Sequence, residues 1–399
     1  MNKNGPWTRM VHAGEHRSPL RGRPVAMPIY ATSAFTYDSM EDVEKVFTGE
    51  GGDFIYTRHG NPTVTAFEDA MTAIEAGEAS CAYASGMAAL HAALFSCDLT
   101  PGSTVLASQD LYGATFALLN NIFAPAGVKT VTADFNDLDD VRDRARTARP
   151  KVLVAETISN PLLKICDLAA CAEIAREVGA RLVVDNTFAS PFLAQPLAHG
   201  ADFVVHSATK YLGGHGDAMG GVVVARQAQD RAALGKVMKL VGGVLSVWEA
   251  HHILRGIKTL GLRMERQCAN AERLATLLKD DPRLARVHYP TLTAKASPGL
   301  LGRMIRPPFG GALLSIELKE NTREAAFRFM NALQLCVRLT SLGDVFTGVS
   351  HSASSSHREV PPDTRARLGI TEGLVRISVG IEDVFDLHAD IDQALGKPS

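Results

Sequence analysis

The chain has 399 residues, of which 46% are hydrophobic and 21% are charged, and its formal net charge is −2. This length and composition predict a globular protein with more than one domain. A charge this close to zero excludes the basic field that would recruit nucleic acid or an anionic membrane surface. No apolar run approaches the roughly 18 residues of a membrane span, and the N-terminal residues lack the apolar core of a signal peptide. We therefore expect a cytoplasmic protein.

The six cysteines are scattered along the chain, mostly among apolar neighbours. Cys166 and Cys171 are too far apart in sequence to form a CxxC pair. This usage predicts reduced thiols and no metal site.

The predicted elements begin after an N-terminal arm, residues 1–60, which shows little periodicity and many turn formers. From Pro62 to about residue 230, strand-like runs alternate with helical ones. The predicted strands are Ser80–Tyr83, Thr104–Ala107, Val128–Val131, Lys151–Ala155, Arg181–Val184, Phe203–His206 and Gly221–Val224. The predicted helices include Asn61–Ile74, Gly86–Phe95, Thr115–Ala124 and Leu168–Glu177. This alternation predicts an α/β fold, with a mostly parallel, doubly wound sheet in a domain spanning 61–250.

A long helical stretch, Ser246–Lys279, with Arg263 on its polar side, is predicted to lead into a second domain, residues 251–399. The pattern there predicts a smaller C-terminal α/β domain with strands Gly311–Leu318, Gln334–Leu339 and Leu374–Val379 and helices Thr322–Leu333 and Val384–Leu395. The segment Ser350–Asp363 is rich in serine, proline and charge, which predicts a loop or lid.

Lys210 directly follows an apolar run and precedes several glycines. The run predicts a buried strand. A lysine at its end is partly desolvated, which favours the neutral amine that a Schiff-base nucleophile needs. Asp185 ends another predicted strand. Each residue alone has an ordinary alternative, a snorkelling surface lysine or a turn aspartate. Together they predict a pyridoxal phosphate site, in which the lysine holds the aldehyde and the carboxylate keeps the pyridine nitrogen protonated.

Two segments predict contacts with the cofactor phosphate. Ser85 and Gly86 follow a strand and open a helix, where free backbone N–H groups and the helix dipole attract an anion. The alternative is a capped helix with a packing glycine. Tyr56 and Arg58 lie in the N-terminal arm, and both side chains can donate hydrogen bonds to a phosphate. An arm without a core of its own most often packs on another subunit, and a solvated arm is the alternative.

Three further residues are candidates for work on the cofactor and substrate. Tyr112 lies in a loop after a strand, where it can stack on the cofactor ring and transfer a proton, or simply be a buried aromatic. Asn160 precedes a proline at a strand end, where it can hydrogen-bond the cofactor or only form a turn. Arg376 stands on a strand between two apolar residues. It can clamp an α-carboxylate or form a surface ion pair.

These motifs resemble the trans-sulfuration family of pyridoxal-phosphate enzymes, which includes cystathionine γ-synthase, cystathionine β- and γ-lyases, methionine γ-lyase and O-acylhomoserine sulfhydrylases. The resemblance runs from about Thr32 to Leu395, and the segments Ser207–His215 and Ser341–Asp344 are among those that carry it. It implies the type I pyridoxal-phosphate (aspartate-aminotransferase-like) fold, a homotetramer built as a dimer of catalytic dimers, and pyridoxal 5′-phosphate as cofactor.

The resemblance also implies a role for each candidate residue. Lys210 binds the cofactor and later moves protons, Asp185 pairs with the pyridine nitrogen, and Tyr112 stacks on the ring. The phosphate is held by Gly86, Met87, Ser207 and Thr209 of the same chain and by Tyr56 and Arg58 of a neighbour. Asn160 contacts cofactor and substrate, and the substrate site adds Thr340, Ser341 and Arg376, the last as the α-carboxylate ligand.

Substrate choice follows no single pattern within that family. Methionine γ-lyases carry a cysteine where this chain has Ala114 and an aspartate where it has Leu240, and cystathionine γ-enzymes tend to carry a glutamate at Thr340. The leading hypothesis is a carbon–sulfur lyase that performs α,γ-elimination on a sulfur amino acid. The alternatives are a γ-replacement synthase, a cystathionine β-lyase and a catalytically silent relative kept for binding. The sequence does not specify which sulfur amino acid or O-acylhomoserine is used.

Overall fold

The computed structural model describes residues 5–14, 24–50, 54–293 and 299–396. The larger of its two sheets has seven strands within these residues: β1 (Ala79–Tyr83), β2 (Thr104–Ser108), β3 (Lys129–Ala133), β4 (Val152–Glu156), β5 (Arg181–Asp185), β6 (Phe203–Ser207) and β7 (Gly221–Ala225). Their spatial order is β1-β7-β6-β5-β4-β2-β3. Strand β7 runs antiparallel to both neighbours, and the remaining pairs are parallel. The predicted mostly parallel sheet is confirmed.

Helices cover both faces of this sheet. In β4, Leu153 and Ala155 belong to one apolar core, whereas Val152 and Val154 belong to the core on the opposite face. A strand buried on both faces reads as a continuous apolar run, which is why these strands could be recognised in the sequence. The helices are α1 (Pro6–His12), α2 (Met40–Thr48), α3 (Pro62–Ile74), α4 (Gly86–Phe95), α5 (Gly113–Leu118), α6 (Leu138–Ala148), α7 (Leu168–Val178), α8 (Ser190–Leu193), α9 (Asp230–Val241), α10 (Val247–Ile257) and α11 (Leu260–Leu278).

The second sheet lies in the C-terminal part of the chain. Its strands are β8 (Leu284–His288), β9 (Leu313–Leu318), β10 (Val337–Arg338), β11 (Gly348–His351) and β12 (Leu374–Ser378), in the order β10-β11-β12-β9-β8. The helices of this part are α12 (Pro290–Thr293), α13 (Leu300–Met304), α14 (Arg323–Ala332), α15 (Pro362–Leu368) and α16 (Val384–Leu395). Residues of α11, α14 and α16 form its apolar core with the sheet. The domain boundaries at 60 and 250 stay predictions, and α10 crosses the second of them.

The prediction of a single helix over Ser246–Lys279 is wrong. The structure has two helices there, α10 and α11, which are separated at Lys258 and Thr259. Arg263 is also not on a polar side, since it is only 5% exposed. Its guanidinium donates to the carbonyl of Gly256 (2.9 Å) and to Thr259 Oγ1 (3.2 Å). It fills the space beside Gly214, where an added Cβ would lie 2.2 Å from Arg263 Nη1.

Three other predicted elements are shorter or differently built. The helix expected over Thr115–Ala124 is α5 followed by a π-helical turn, Leu119–Phe123. The strand expected over Gln334–Leu339 pairs only at Val337–Arg338, because Asp390 takes the preceding backbone N–H groups. The predicted loop Ser350–Asp363 begins inside β11 and ends inside α15.

The N-terminal arm is not purely extended. Helix α1 places Met10 in the main apolar core, and the Trp7 ring meets the Phe192 ring edge-on at 5.9 Å. The predicted contact of this arm with a neighbouring subunit stays a prediction. Among the described residues, no helix is long and apolar enough to cross a membrane.

Candidate active site

A cavity of about 320 Å³ opens at the carboxyl ends of the parallel strands, where ligands bind in sheets of this type. It brings together most of the residues that the sequence predicted: Gly86, Met87, Tyr112, Asn160, Asp185, Ser207, Thr209, Lys210, Thr340 and Arg376. Ser341 adjoins it, because its Oγ accepts a hydrogen bond from Lys210 Nζ at 2.8 Å. The lining comes from both sheets, since Arg376 lies on β12.

One end of the cavity is a cradle of small residues around the start of α4. Ser85 caps the helix by accepting a hydrogen bond from the Ala88 N–H (3.2 Å), which leaves the first N–H groups of the helix facing the cavity. A Cβ added at Gly86 would lie 2.8 Å from Ser207 Cβ. Only glycine therefore lets this turn approach Ser207 so closely. The geometry suits an anion that is bound by backbone N–H groups and hydroxyls.

Asp185 and Lys210 line the middle of the cavity. The Thr187 N–H donates to Asp185 Oδ1 at 2.9 Å. Burial raises the pKa of Asp185, and the hydrogen bonds from Thr187 oppose this effect by favouring the ionised form. Burial lowers the pKa of Lys210, and the nearby Arg376 guanidinium lowers it further. The lysine amine is therefore easier to deprotonate than a lysine in water.

Arg376 is a buried cation, only 3% exposed. Its Nη1 donates to Asn160 Oδ1 (3.0 Å) and its Nη2 to the carbonyl of Ser341 (3.3 Å), whereas its Nε is buried without a hydrogen-bond partner. Burial lowers the pKa of Arg376 to about 10. Both of its partners are neutral, so a carboxylate that entered the cavity would supply the missing counter-charge.

Tyr112 stands at the N-cap position of α5, and its side chain is 38% exposed. Its backbone N–H donates to Glu156 Oε1 at 2.6 Å. Glu156 ends β4 and lines the cavity, yet sequence reasoning assigned it no role. Its position in the sequence could have indicated a role, because Glu156 is the polar residue at the end of a buried strand, as Asp185 is.

Tyr56 and Arg58 do not line the cavity of this chain. The Arg58 guanidinium lies 5.5 Å from the centre of the Tyr56 ring, and its Nη1 donates to the carbonyl of Lys239. Tyr56 is 44% exposed. The structure thus places this pair on the surface, apart from the other candidate residues. Ala114 and Leu240 are likewise absent from the cavity lining, and Leu240 is 75% exposed.

Comparison with known proteins identifies the family. The sequence model of the Cys/Met metabolism PLP-dependent enzymes matches residues 7–396. The chain belongs to this family. It is 44% identical to the L-methionine gamma-lyase of Pseudomonas putida over 389 residues, which cover 97% of this chain and 96% of that protein.

Two further members of the Cys/Met metabolism family show how broad the similarity is. The cystathionine gamma-lyase of Bacillus subtilis is 39% identical over 389 residues, 97% of this chain and 98% of that protein. The crystal structure of cystathionine gamma synthase from Xanthomonas oryzae pv. oryzae superposes with a TM-score of 0.91 at 36% identity and covers 98% of each chain. The type I fold and the trans-sulfuration family are therefore confirmed, and the enzyme depends on pyridoxal phosphate.

The residues of the cavity fit this cofactor. The Gly86 cradle accepts no side chain, as a phosphate-binding turn requires. Lys210 has a lowered pKa and lies in the turn after β6, the strand that pairs with the strand of Asp185, and Arg376 has a buried donor without a partner. These features supply an anion site, an amine for the aldehyde, a carboxylate and a second anion site in one cavity.

Proposed function

We propose that this enzyme is a carbon–sulfur lyase that performs α,γ-elimination on a sulfur amino acid with an uncharged side-chain end. The products would be a 2-oxo acid, ammonia and a thiol. The observation that carries the proposal is the charge pattern of the cavity. Its ionisable lining residues are Glu156, Asp185, Lys210 and Arg376, together with the phenol of Tyr112, and the rest of its lining is uncharged.

Substrate binding follows from that pattern. Arg376 takes the α-carboxylate, and Asn160, whose side chain already accepts from Arg376, holds the guanidinium in place. The remaining uncharged lining, including Met219, Thr340 and Ser356, receives the side chain. A charged end there would find no counter-charge among these residues. Methionine- and homocysteine-like substrates therefore fit best.

The proton transfers are assigned to Lys210 and Tyr112. Bound pyridoxal phosphate supplies an electron sink for charge that develops at Cα. Lys210 takes the α-proton, and its lowered pKa makes the neutral amine more available. Lys210, together with Tyr112, then moves a second proton from Cβ as the γ-substituent departs. Ser341 accepts a hydrogen bond from the Lys210 amine and so holds it on the substrate side.

The cofactor contacts are assigned by position. Asp185 would pair with the pyridine nitrogen, and Tyr112 would stack on the ring. Asn160 would also contact the cofactor. The Gly86 and Met87 N–H groups and the hydroxyls of Ser207 and Thr209 would hold the phosphate. The hydroxyl of Thr209 also exchanges hydrogen bonds with Gly220 (3.1 and 3.3 Å), which fixes its position.

We further propose that Tyr56 and Arg58 complete the phosphate site of a neighbouring subunit in a cytoplasmic homotetramer, a dimer of catalytic dimers. Their surface position apart from the cavity of their own chain supports this assignment. Mixing Arg58→Ala subunits with Lys210→Ala subunits should restore part of the activity, because a hybrid dimer contains one intact site. Failure of verified hybrids to regain activity would contradict the shared site.

The functional test is a substrate panel of methionine, homocysteine, cystathionine, cysteine and O-acylhomoserines, each assayed for ammonia and 2-oxo acid with and without an added thiol. Elimination predicts ammonia without thiol.

A γ-replacement synthase is the second candidate, favoured by the similarity to cystathionine gamma synthase. It would convert an O-acylhomoserine only when a thiol is supplied, whereas a cystathionine β-lyase would release pyruvate from cystathionine.

A further inference from the structure

Glu156 is a buried carboxyl group inside the active-site cavity, with 8% of its surface exposed. It is the last residue of β4 and lies directly opposite Asp185 in the parallel pairing of β4 with β5. Residues paired in this way point to the same face of a sheet. The chain thus places a second carboxyl group beside the one assigned to the cofactor nitrogen.

The contacts of Glu156 are with the backbone of two proposed active-site residues. Its Oε1 accepts the N–H of Tyr112 at 2.6 Å. The backbone N–H of Asn160 also lies near this carboxyl group and lowers its pKa. Tyr112 follows β2 and Asn160 follows β4, so one side chain joins the loops after two neighbouring strands.

Asn160 is held from the other directions as well. Its side-chain Oδ1 accepts from Arg376 Nη1 at 3.0 Å, and its backbone lies near the ring of the buried His357. Glu156 adds a further contact to Asn160, from the end of strand β4. Any movement of Glu156 would be transmitted to Tyr112 and, through Asn160, to the guanidinium of Arg376.

The surroundings of Glu156 also shift the pKa of its carboxyl group. Burial raises its pKa well above the usual range, and the adjacent Asp185 and the nearby Asp110 act in the same direction, whereas the N–H groups of Tyr112 and Asn160 oppose them. Two neighbouring buried carboxyl groups do not both ionise readily. In either protonation state, Glu156 can accept the N–H of Tyr112.

We propose that Glu156 is a positioning residue that locks the ring tyrosine, Tyr112, and Asn160, the partner of the carboxylate-binding Arg376, in their relative placement. This inference rests on the proposed function, since it assigns Glu156 to the site that would carry out the elimination. Catalysis depends steeply on such placement, and a displacement of about 1 Å can cost about 100-fold in rate.

The test compares Glu156→Leu and Glu156→Gln with Asp390→Asn as matched control. Asp390 is also buried and also accepts backbone N–H groups, those of Gln334, Leu335 and Cys336 at 2.8, 2.9 and 2.8 Å, but it lies on α16 and is absent from the cavity lining. The measurements on the holoenzyme are kcat, KM, the visible circular dichroism of the bound cofactor and the melting temperature. Hydrogen exchange at the Tyr112 and Asn160 amides is measured in the apoenzyme.

Glu156→Leu should lower kcat/KM by about 100-fold, alter the visible circular dichroism and speed exchange at both amides. Glu156→Gln should lose roughly tenfold, because its amide oxygen can still accept from Tyr112 while its NH₂ group cannot accept from Asn160. Asp390→Asn should lower the melting temperature and leave the kinetic and optical properties unchanged.

The proposal is overturned if both Glu156 variants change only the melting temperature, or if Asp390→Asn reduces kcat/KM as much as they do. Glu156→Gln keeps the size of the side chain, so it decides the matter even if Glu156→Leu fails to fold. Absence of turnover in the wild type on every sulfur amino acid would defeat the proposed function instead. The exchange and circular dichroism results would still decide whether Glu156 positions the two residues.

Discussion

The two ends of the active-site cavity are built in different ways. At the end that we propose binds the cofactor, Gly86, Asp185 and Ser207 come from a single sheet edge and the first turn of one helix. At the end that we propose binds the substrate, Asn160 comes from a loop of the first sheet and Arg376 from a strand of the second. Strand pairing sets the first geometry in a fixed register, whereas the second depends on how two sheets and their loops pack.

This difference separates two kinds of mutational effect. Changes at the cofactor end should weaken catalysis with every substrate alike, because all reactions use the same cofactor. Changes at the substrate end should alter the preference among substrates while the cofactor stays bound. Four substitutions test this division.

Lys210 stands where the two ends meet, so Lys210→Ala should abolish turnover on all substrates, a loss of about 10⁴-fold or more. The exposed Lys279→Ala provides the control and should keep full activity. Borohydride reduction of the wild-type holoenzyme followed by peptide mapping should label Lys210. A cofactor label on a different lysine would contradict the assignment.

Arg376→Lys should lower kcat/KM for amino acids by about 10- to 100-fold, because a lysine cannot reproduce the paired hydrogen bonds of a guanidinium to a carboxylate. The same variant should keep the cofactor absorbance of the wild type. Kinetics with an amino acid and with the matching amine that lacks the carboxylate would check this. An equal loss with both compounds would show that Arg376 does not bind the carboxylate.

Gly86→Ala should weaken cofactor binding roughly tenfold, because the new Cβ would lie 2.8 Å from Ser207 Cβ and must displace the phosphate cradle. Gly302→Ala is a matched control, since an added Cβ there meets nothing within 4 Å. Titration of each apoenzyme with pyridoxal phosphate, followed by absorbance, gives the two affinities. Unchanged affinity in Gly86→Ala would place the phosphate elsewhere.

Thr340→Glu should shift the preference toward cystathionine by at most about fivefold, because Thr340 is exposed and a charge there is screened by water. The favourable partner would be the distal ammonium group of cystathionine. The ratio of kcat/KM for cystathionine to that for methionine measures the shift, and it should shrink at high salt. A change that is equal for both substrates would mean that Thr340 does not contact the side-chain end.

Much of the cofactor end could be predicted from the sequence. The strands that end at Glu156, Asp185 and Ser207 are continuous apolar runs, since both faces of the sheet are covered. Polar residues directly after such runs belong at the carboxyl edge, so Lys210 and Asp185 could be placed there before the structure was known. Gly86 could be placed as well, because a glycine that opens a helix after a strand has a physical reason to be there.

Other features depend on contacts between residues that are far apart in the sequence, which a short sequence pattern cannot predict. Glu156 acquires its partners only when strand β4 pairs with β5 and the loop of Tyr112 folds back over it. Arg263 has the spacing of a surface residue, yet it is buried because Gly214 leaves room for its guanidinium. Strand β8 is only five residues long and has no continuous apolar run, so its pairing with β9 becomes apparent only in the folded sheet.

The elimination itself is tested most directly by incubating the holoenzyme with methionine in the absence of any added thiol. Elimination should give equal amounts of 2-oxobutanoate, ammonia and methanethiol, with the amounts growing linearly over many turnovers. Products that form only after a thiol is added, or pyruvate from cystathionine with no reaction of methionine or homocysteine, would contradict it.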